Sequence, residues 1–134
     1  MTIEWTDAFR IGIPSLDDDH QKLVDVANHF FEQVQNGADT PVIAIILDQI
    51  VALMGSHFVR EEDELDRHDY LNRLSHAAMH QQEMLRLQRF AELFKSGELT
   101  REQTIAQAEC LCQFLIKHIV EDDIPFKSAL RTLT

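Results

Sequence analysis

The stretch that decides the fold runs from Thr40 to Leu65, TPVIAIILDQIVALMGSHFVREEDEL. Its apolar stripe is Ile43, Ile46, Ile50 and Leu53, and the same steps of three and four continue into His57, Glu61 and Leu65. That period belongs to a helix and not to a strand. Thr40 is a good N-cap and Pro41 suits the first helical position, so a helix is expected over 41–66. The last part of this helix is unusual. An imidazole and a carboxylate hold places on the face that should be buried, where each costs several kcal/mol unless something partners it.

Three more segments show the same period. One covers 17–35, with His20, Leu23, Val24, Ala27, Phe31 and Val34 inward, and stops at Asn36-Gly37. Another covers about 70–95, with His76, His80, Met84, Leu87, Ala91 and Phe94 inward, and ends at Gly97. The fourth covers 101–123 and opens on the capping-box pattern Thr100-x-x-Gln103. Its stripe is Ile105, Ala108, Leu111, Cys112, Leu115, His118, Ile119 and either Asp122 or Asp123. Pro125 then interrupts the chain, and a short amphipathic helix is expected over 125–131. Short connections make neighbouring helices antiparallel. The expected architecture is all-α: one domain, 1–134, built as an up-down-up-down antiparallel four-helix bundle. Residues 1–16 contain Trp5, Phe9 and Ile13 and should form an arm packed along its outside.

The bulk numbers fit this picture and exclude several functions. The length, 134 residues, suits one hydrophobic core, and 45% hydrophobic content predicts a packed globule. The net charge of -11 opposes nucleic-acid binding, which needs a basic face, and docking on an anionic membrane. No stretch approaches the roughly 18 apolar residues of a membrane span, so no membrane insertion is expected. Met1 to Arg10 lacks the pattern of a secretion signal, and a cytoplasmic location is expected. Cys110 and Cys112 would point about 200° apart around a helix. They are therefore read as free, buried or half-buried thiols in a reducing compartment. Met54, Met79 and Met84 are read as core fillers, and His29 and His68 as surface or interhelix residues.

Seven polar residues remain: His20, His57, Glu61, His76, His80, His118 and Asp123. One histidine on an apolar stripe is usually a satisfied core residue. Here the antiparallel order places all seven at one level. His20 lies near the start of its helix, His57 and Glu61 near the end of theirs, His76 and His80 near a start, and His118 near an end. His57 and Glu61, like His76 and His80, are four apart and share a face. His118 and Asp123 are five apart, about 140° around an ideal helix, so they converge only through a local distortion or a sideways reach. Five imidazoles and two carboxylates suit two borderline metal ions better than one. An ion with three histidines, two carboxylate oxygens and a bridging solvent oxygen is coordinatively full, and one with two histidines keeps a position open for a small ligand.

On these residues the chain resembles the hemerythrins in their bacterial single-domain form. The resemblance is carried by Trp5, Gly12, Leu16-Asp17-Asp18-Asp19-His20, His57-Phe58-x-x-Glu61-Glu62, His76-x-x-x-His80 and His118-x-x-x-x-Asp123. It implies two iron ions with a bridging oxo or hydroxo group. His76, His80 and His118 would hold the full iron, His20 and His57 the open one, and Glu61 and Asp123 would bridge them. It further implies reversible O2 binding by a carrier, storage or delivery protein that is not an enzyme. The alternative is an oxygen, redox or nitric oxide sensing module acting through a partner protein. A monomer is expected, with O2 as ligand and an unidentified client or reductase. Phe58, Phe114, Leu115 and Ile119 should line a dry O2 pocket.

Oxygen-activating di-iron bundles differ, being rich in carboxylates with Glu-x-x-His pairs that this chain's stripes lack. The chain also departs from the family's usual residues. Asp19 and Gln21 flank His20 where glutamine and often lysine are usual, and Tyr70-Leu71 replaces Tyr-Pro. Asp19 either hydrogen-bonds a ligand imidazole or shifts the redox balance, or is solvated.

Overall fold

The computed structural model describes residues 3–127. Four helices, α1 (Pro14–Gln35), α2 (Thr40–Arg67), α3 (Arg73–Lys95) and α4 (Arg101–Lys117), form the bundle, and a π-helical turn, His118–Asp123, extends α4. Contacts run α1 to α2, α2 to α3, α1 to α4 and, most sparsely, α3 to α4, as in a four-cornered bundle. Residues 124–127 resume α-helix. The rest of the expected 125–131 helix lies outside the described residues.

Each helix end has a local cause. Pro14 opens α1 three residues earlier than the apolar stripe suggests, because a proline in the first turn lacks only an N–H that the helix leaves unpaired. Asp39, not Thr40, takes the N-cap position of α2, without a side-chain bond to the helix, and Thr40 becomes its first residue. Asp69 takes a left-handed φ of 50° after α2. The Tyr70 N–H then returns to the Leu65 carbonyl at 2.9 Å and the Asp69 N–H to the Asp66 carbonyl at 3.1 Å, a Schellman closure. This turn delays α3 to Arg73, past the expected start near 70. The Thr100 capping box forms as the sequence indicates. Gln103 N–H donates to Thr100 Oγ1 at 3.2 Å, and Thr100 N–H donates to Gln103 Oε1 at 2.9 Å.

The main core joins all four helices through Phe30, Leu47, Ile50, Met54, Leu87, Phe94 and Leu111, among others. A second apolar cluster, Ile11, Leu16, Leu65 and Phe126, forms separately. These residues flank the polar stripe in sequence: Leu16 is one turn before His20, Leu65 one turn after Glu61, and Phe126 three residues after Asp123. The N-terminal arm lies against α1. Ile3 N–H donates to Asn28 Oδ1 and Asn28 Nδ2 donates to the Ile3 carbonyl, both at 2.7 Å. Trp5 and Phe9 pack on the main core, and buried Asp17 accepts from the Ile11 and Gly12 N–H groups.

One expectation is corrected here. By length and composition α2 is apolar enough to cross a membrane, with a window of mean hydropathy 2.0. Asp48 and Gln49 interrupt its apolar run, but the flanking isoleucines and valines dominate the average. Its inward residues, from Ile43 to Met54, are spent in the bundle core.

Cys112 is buried, and burial pushes its thiol up to about 11. Cys110 is exposed, not half-buried. His29 is exposed, and His68 lies 3.5 Å from Glu64 at the end of α2.

Candidate metal centre

All seven stripe residues are buried and converge at one end of the bundle. α1 supplies His20, α2 supplies His57 and Glu61, and α3 supplies His76 and His80. His118 and Asp123 open and close the π-turn. That turn resolves the difficulty of their spacing. Its backbone bonds reach five residues on, so residues five apart return to one face. Pro125, which has no N–H to continue an α-helical ladder, follows two residues later.

Asp123 Oδ2 is the hub of one group. It lies 2.7 Å from His20 Nε2, 3.0 Å from His57 Nε2 and 2.9 Å from His118 Nε2. Glu61 is the hub of the other. Its Oε1 is in close contact with His76 Nε2 and 3.2 Å from His80 Nε2, while its Oε2 lies 2.9 Å from His57 Nε2. Two groups that could hold a metal ion result: His20, His57 and His118, and His76 with His80, each sharing Glu61 and Asp123. The split is again three and two, and here His118 lies beside His20 and His57, whereas the resemblance implies an iron shared by His118, His76 and His80. A common acceptor, Asp123 Oδ2, draws the three rings together.

The donor set fits cations. Glu61 Oε2 and Asp123 Oδ1 are buried oxygens outside hydrogen-bonding geometry with any neighbour. Buried carboxylate oxygens are almost always partnered, and a cation would partner both. The Nε2 atoms of His57 and His118 face each other at 3.1 Å, where one donor proton can serve only one of the pair. Imidazole nitrogen and carboxylate oxygen together suit borderline transition metals.

The protonation equilibria show how much charge the set concentrates. Burial works against a charged His57, yet the adjacent carboxylates of Asp123, Asp19 and Glu61 outweigh it and raise its pKa to about 10. His76 rises to about 9, against burial, through Asp123 and Glu61. Burial and the charge of Asp123 would raise Glu61, but its histidine partners bring it down to about 2. Asp123 is held well below the usual carboxylate range, chiefly by His118, His20 and His57, against its burial.

The outer nitrogens of the rings have carboxylate partners, of which sequence reasoning raised Asp19 as one alternative and missed Glu62 and Glu83. His57 Nδ1 faces Asp19 Oδ2 at 3.1 Å, His80 Nδ1 faces Glu62 Oε2 at 3.2 Å and His118 Nδ1 faces Glu83 Oε2 at 2.9 Å. His20 Nδ1 has only the Phe9 carbonyl, at 3.4 Å. Such partners fix the tautomer that aims Nε2 inward and make the imidazole a better donor. Glu83 stands three residues after His80 on α3, and that spacing was the available signal.

Of the four expected pocket residues, Phe58 stacks on the His80 ring with centroids 3.9 Å apart and meets His118 edge-on at 5.1 Å. Phe114 lines an open groove of about 680 Å³ between α3 and α4, with His118 and Glu83. Leu115 and Ile119 are buried in the main core and line neither this groove nor the one beside Phe58 and His80.

Residues 11–126 match the model of the hemerythrin HHE cation binding domain. The chain belongs to the hemerythrin family. The bacteriohemerythrin of Pseudomonas aeruginosa is 27% identical over 127 residues, which is 95% of this chain and 80% of that protein. The bacteriohemerythrin of Clostridium acetobutylicum is 28% identical, over 89% of this chain and 94% of its own length. The myohemerythrin of Theromyzon tessulatum is 25% identical, over 95% and 92%. The buried cluster fits the non-heme iron, oxygen-binding domain of the hemerythrin family.

Proposed function

We propose that this hemerythrin-family chain binds O2 reversibly at two iron ions held by His20, His57, Glu61, His76, His80, His118 and Asp123. It would serve as a carrier, store or local supplier of oxygen. One observation carries the reading: two histidine groups, three rings and two, share a pair of buried carboxylates. These seven side chains would hold the two irons. An iron pair supplies two electrons and a vacant coordination position. The chain's own residues supply the rest. The carboxylates hold the two groups at a fixed spacing, the outer-nitrogen partners orient the rings, and Phe58 on His80 keeps water from the rings. Excluding water slows side reactions at such a site. Phe114, Leu115 and Ile119 complete the apolar surround in this reading.

The test is an oxygenation titration. Protein is loaded with ferrous iron without air, its metal content is assayed, and the visible spectrum is followed as O2 is added and withdrawn. Two irons per chain and a colour that bleaches on deoxygenation are expected. Irreversible oxidation, or one metal per chain, would remove the carrier reading.

A sensing role has one structural observation in its favour, the contact between the arm's Phe9 carbonyl and His20 Nδ1. A change at His20 would reach the arm through it. Capture of a stable partner in only one redox or ligand state would favour sensing over carriage.

A further inference from the structure

We propose that Asp19 and Arg60 form a charge clamp that sets how strongly His57 donates to the metal pair. This rests on the reading of His57 as an iron ligand, which holds under either grouping of the rings. Asp19 is 2% exposed, so it is not a solvated acid, although Asp18 beside it is exposed. Its Oδ2 accepts from His57 Nδ1, 3.1 Å away across the α1–α2 interface. The same oxygen accepts from Arg60 Nε at 2.8 Å, and Oδ1 accepts from Arg60 Nη2 at 2.6 Å. The guanidinium therefore grips the carboxylate with both arms of its fork.

The other partners of the ring nitrogens are different. Glu62, beside His80, is 38% exposed, whereas the Asp19 side chain is 3% exposed. Glu83 and Asp122, beside His118, have no arginine or lysine within ion-pair distance among the described residues. Only Asp19 is both buried and clamped.

An imidazole that gives its outer N–H to a carboxylate is a stronger donor through its inner nitrogen. Stronger donation favours the higher oxidation state of the metal. Arg60 draws on the same carboxylate oxygen and so moderates that donation. The two residues push in opposite directions, and this separates an electronic role from simple packing. Both are positioning residues, since neither reaches the centre itself.

The experiment compares wild type with Asp19→Asn and Arg60→Met after anaerobic ferrous loading. It reads the midpoint potential of the iron and its retention against a chelator. Asp19→Asn should raise the potential and weaken iron retention roughly ten- to a hundredfold, the usual cost of losing such a partner. Arg60→Met should lower the potential while keeping the iron. Its side chain is 42% exposed, so this variant should fold even where Asp19→Asn does not. An unchanged potential in Arg60→Met, or a shift in the same direction in both variants, overturns the clamp. Wild-type protein that holds no iron overturns the metal-centre reading, and this inference falls with it. Wild type with two irons and variants identical to it would overturn the clamp alone.

Discussion

Two regions of this bundle are equally buried by different means. In the main core, Phe30 and Phe94 meet edge to face at 5.2 Å, and Leu47, Leu87 and Leu111 have no exposed surface. In the ligand layer, His20 and His57 are as deeply buried, but their neighbours are other ionisable groups. Apolar packing is indifferent to pH and metal. Buried imidazoles and carboxylates satisfy one another only in particular protonation states, and bound cations would replace those protons. The main core should therefore carry the fold, and the ligand layer should carry its sensitivity to conditions.

The largest effect expected from this contrast lies in the core. Phe30→Ala should cost about 3–5 kcal/mol in denaturant unfolding, by a similar amount with and without iron. A cost that vanished on metal loading would show the two regions to be one cooperative unit in which the metal dominates. Metal removal should act next. At a free ion concentration about a hundredfold above Kd, iron should add roughly 2.7 kcal/mol. Amide exchange should slow most across His57–Leu65 and the π-turn, and least around Phe30. Uniform slowing would erase the distinction.

The pH dependence sharpens the same contrast. In metal-stripped protein His57 and His76 are raised to about 10 and about 9, from an ordinary 6.5. Their stabilisation is complete below about pH 6.5 and is lost as pH rises through those values. Glu61 is lowered from 4.5 to about 2, so its contribution is present above about pH 4.5 and is lost as pH falls toward 2. Metal-stripped protein should thus unfold more easily at pH 9 than at pH 6. Metal-loaded protein should not, since ligation needs neutral rings. Equal pH profiles for the two forms would argue that the rings are not ligands.

Smaller effects test the ends. Thr100→Ala removes one side of a capping box remote from the ligand layer and should cost about 1 kcal/mol, without altering iron content. Leu74, 82% exposed at the start of α3, should tolerate serine within about 0.5 kcal/mol.

Much of this was legible in the chain because its causes are local. The step of three and four in Thr40 to Leu65 specifies a helix and names its inner face, and His57 and Glu61 on that face announce an unusual environment. Thr100 with Gln103 specifies a helix start without help from the rest of the molecule. The start of α3 was less legible, because a left-handed residue other than glycine is uncommon and nothing around Asp69 declares one.

The sequence by itself determined four amphipathic helices, their antiparallel order and the seven ligand-type residues at one level. Periodicity and the cost of desolvation act within each segment. Tertiary structure alone decided that the chain after Lys117 winds as a π-turn, that Asp19 turns inward to His57 and Arg60, and that His118 shares Asp123 with His20 and His57. These depend on groups far apart in the chain, 103 positions for His20 and Asp123. Their hydrogen bonds exist only once packing has set the distances, and no local pattern encodes a distance across the bundle.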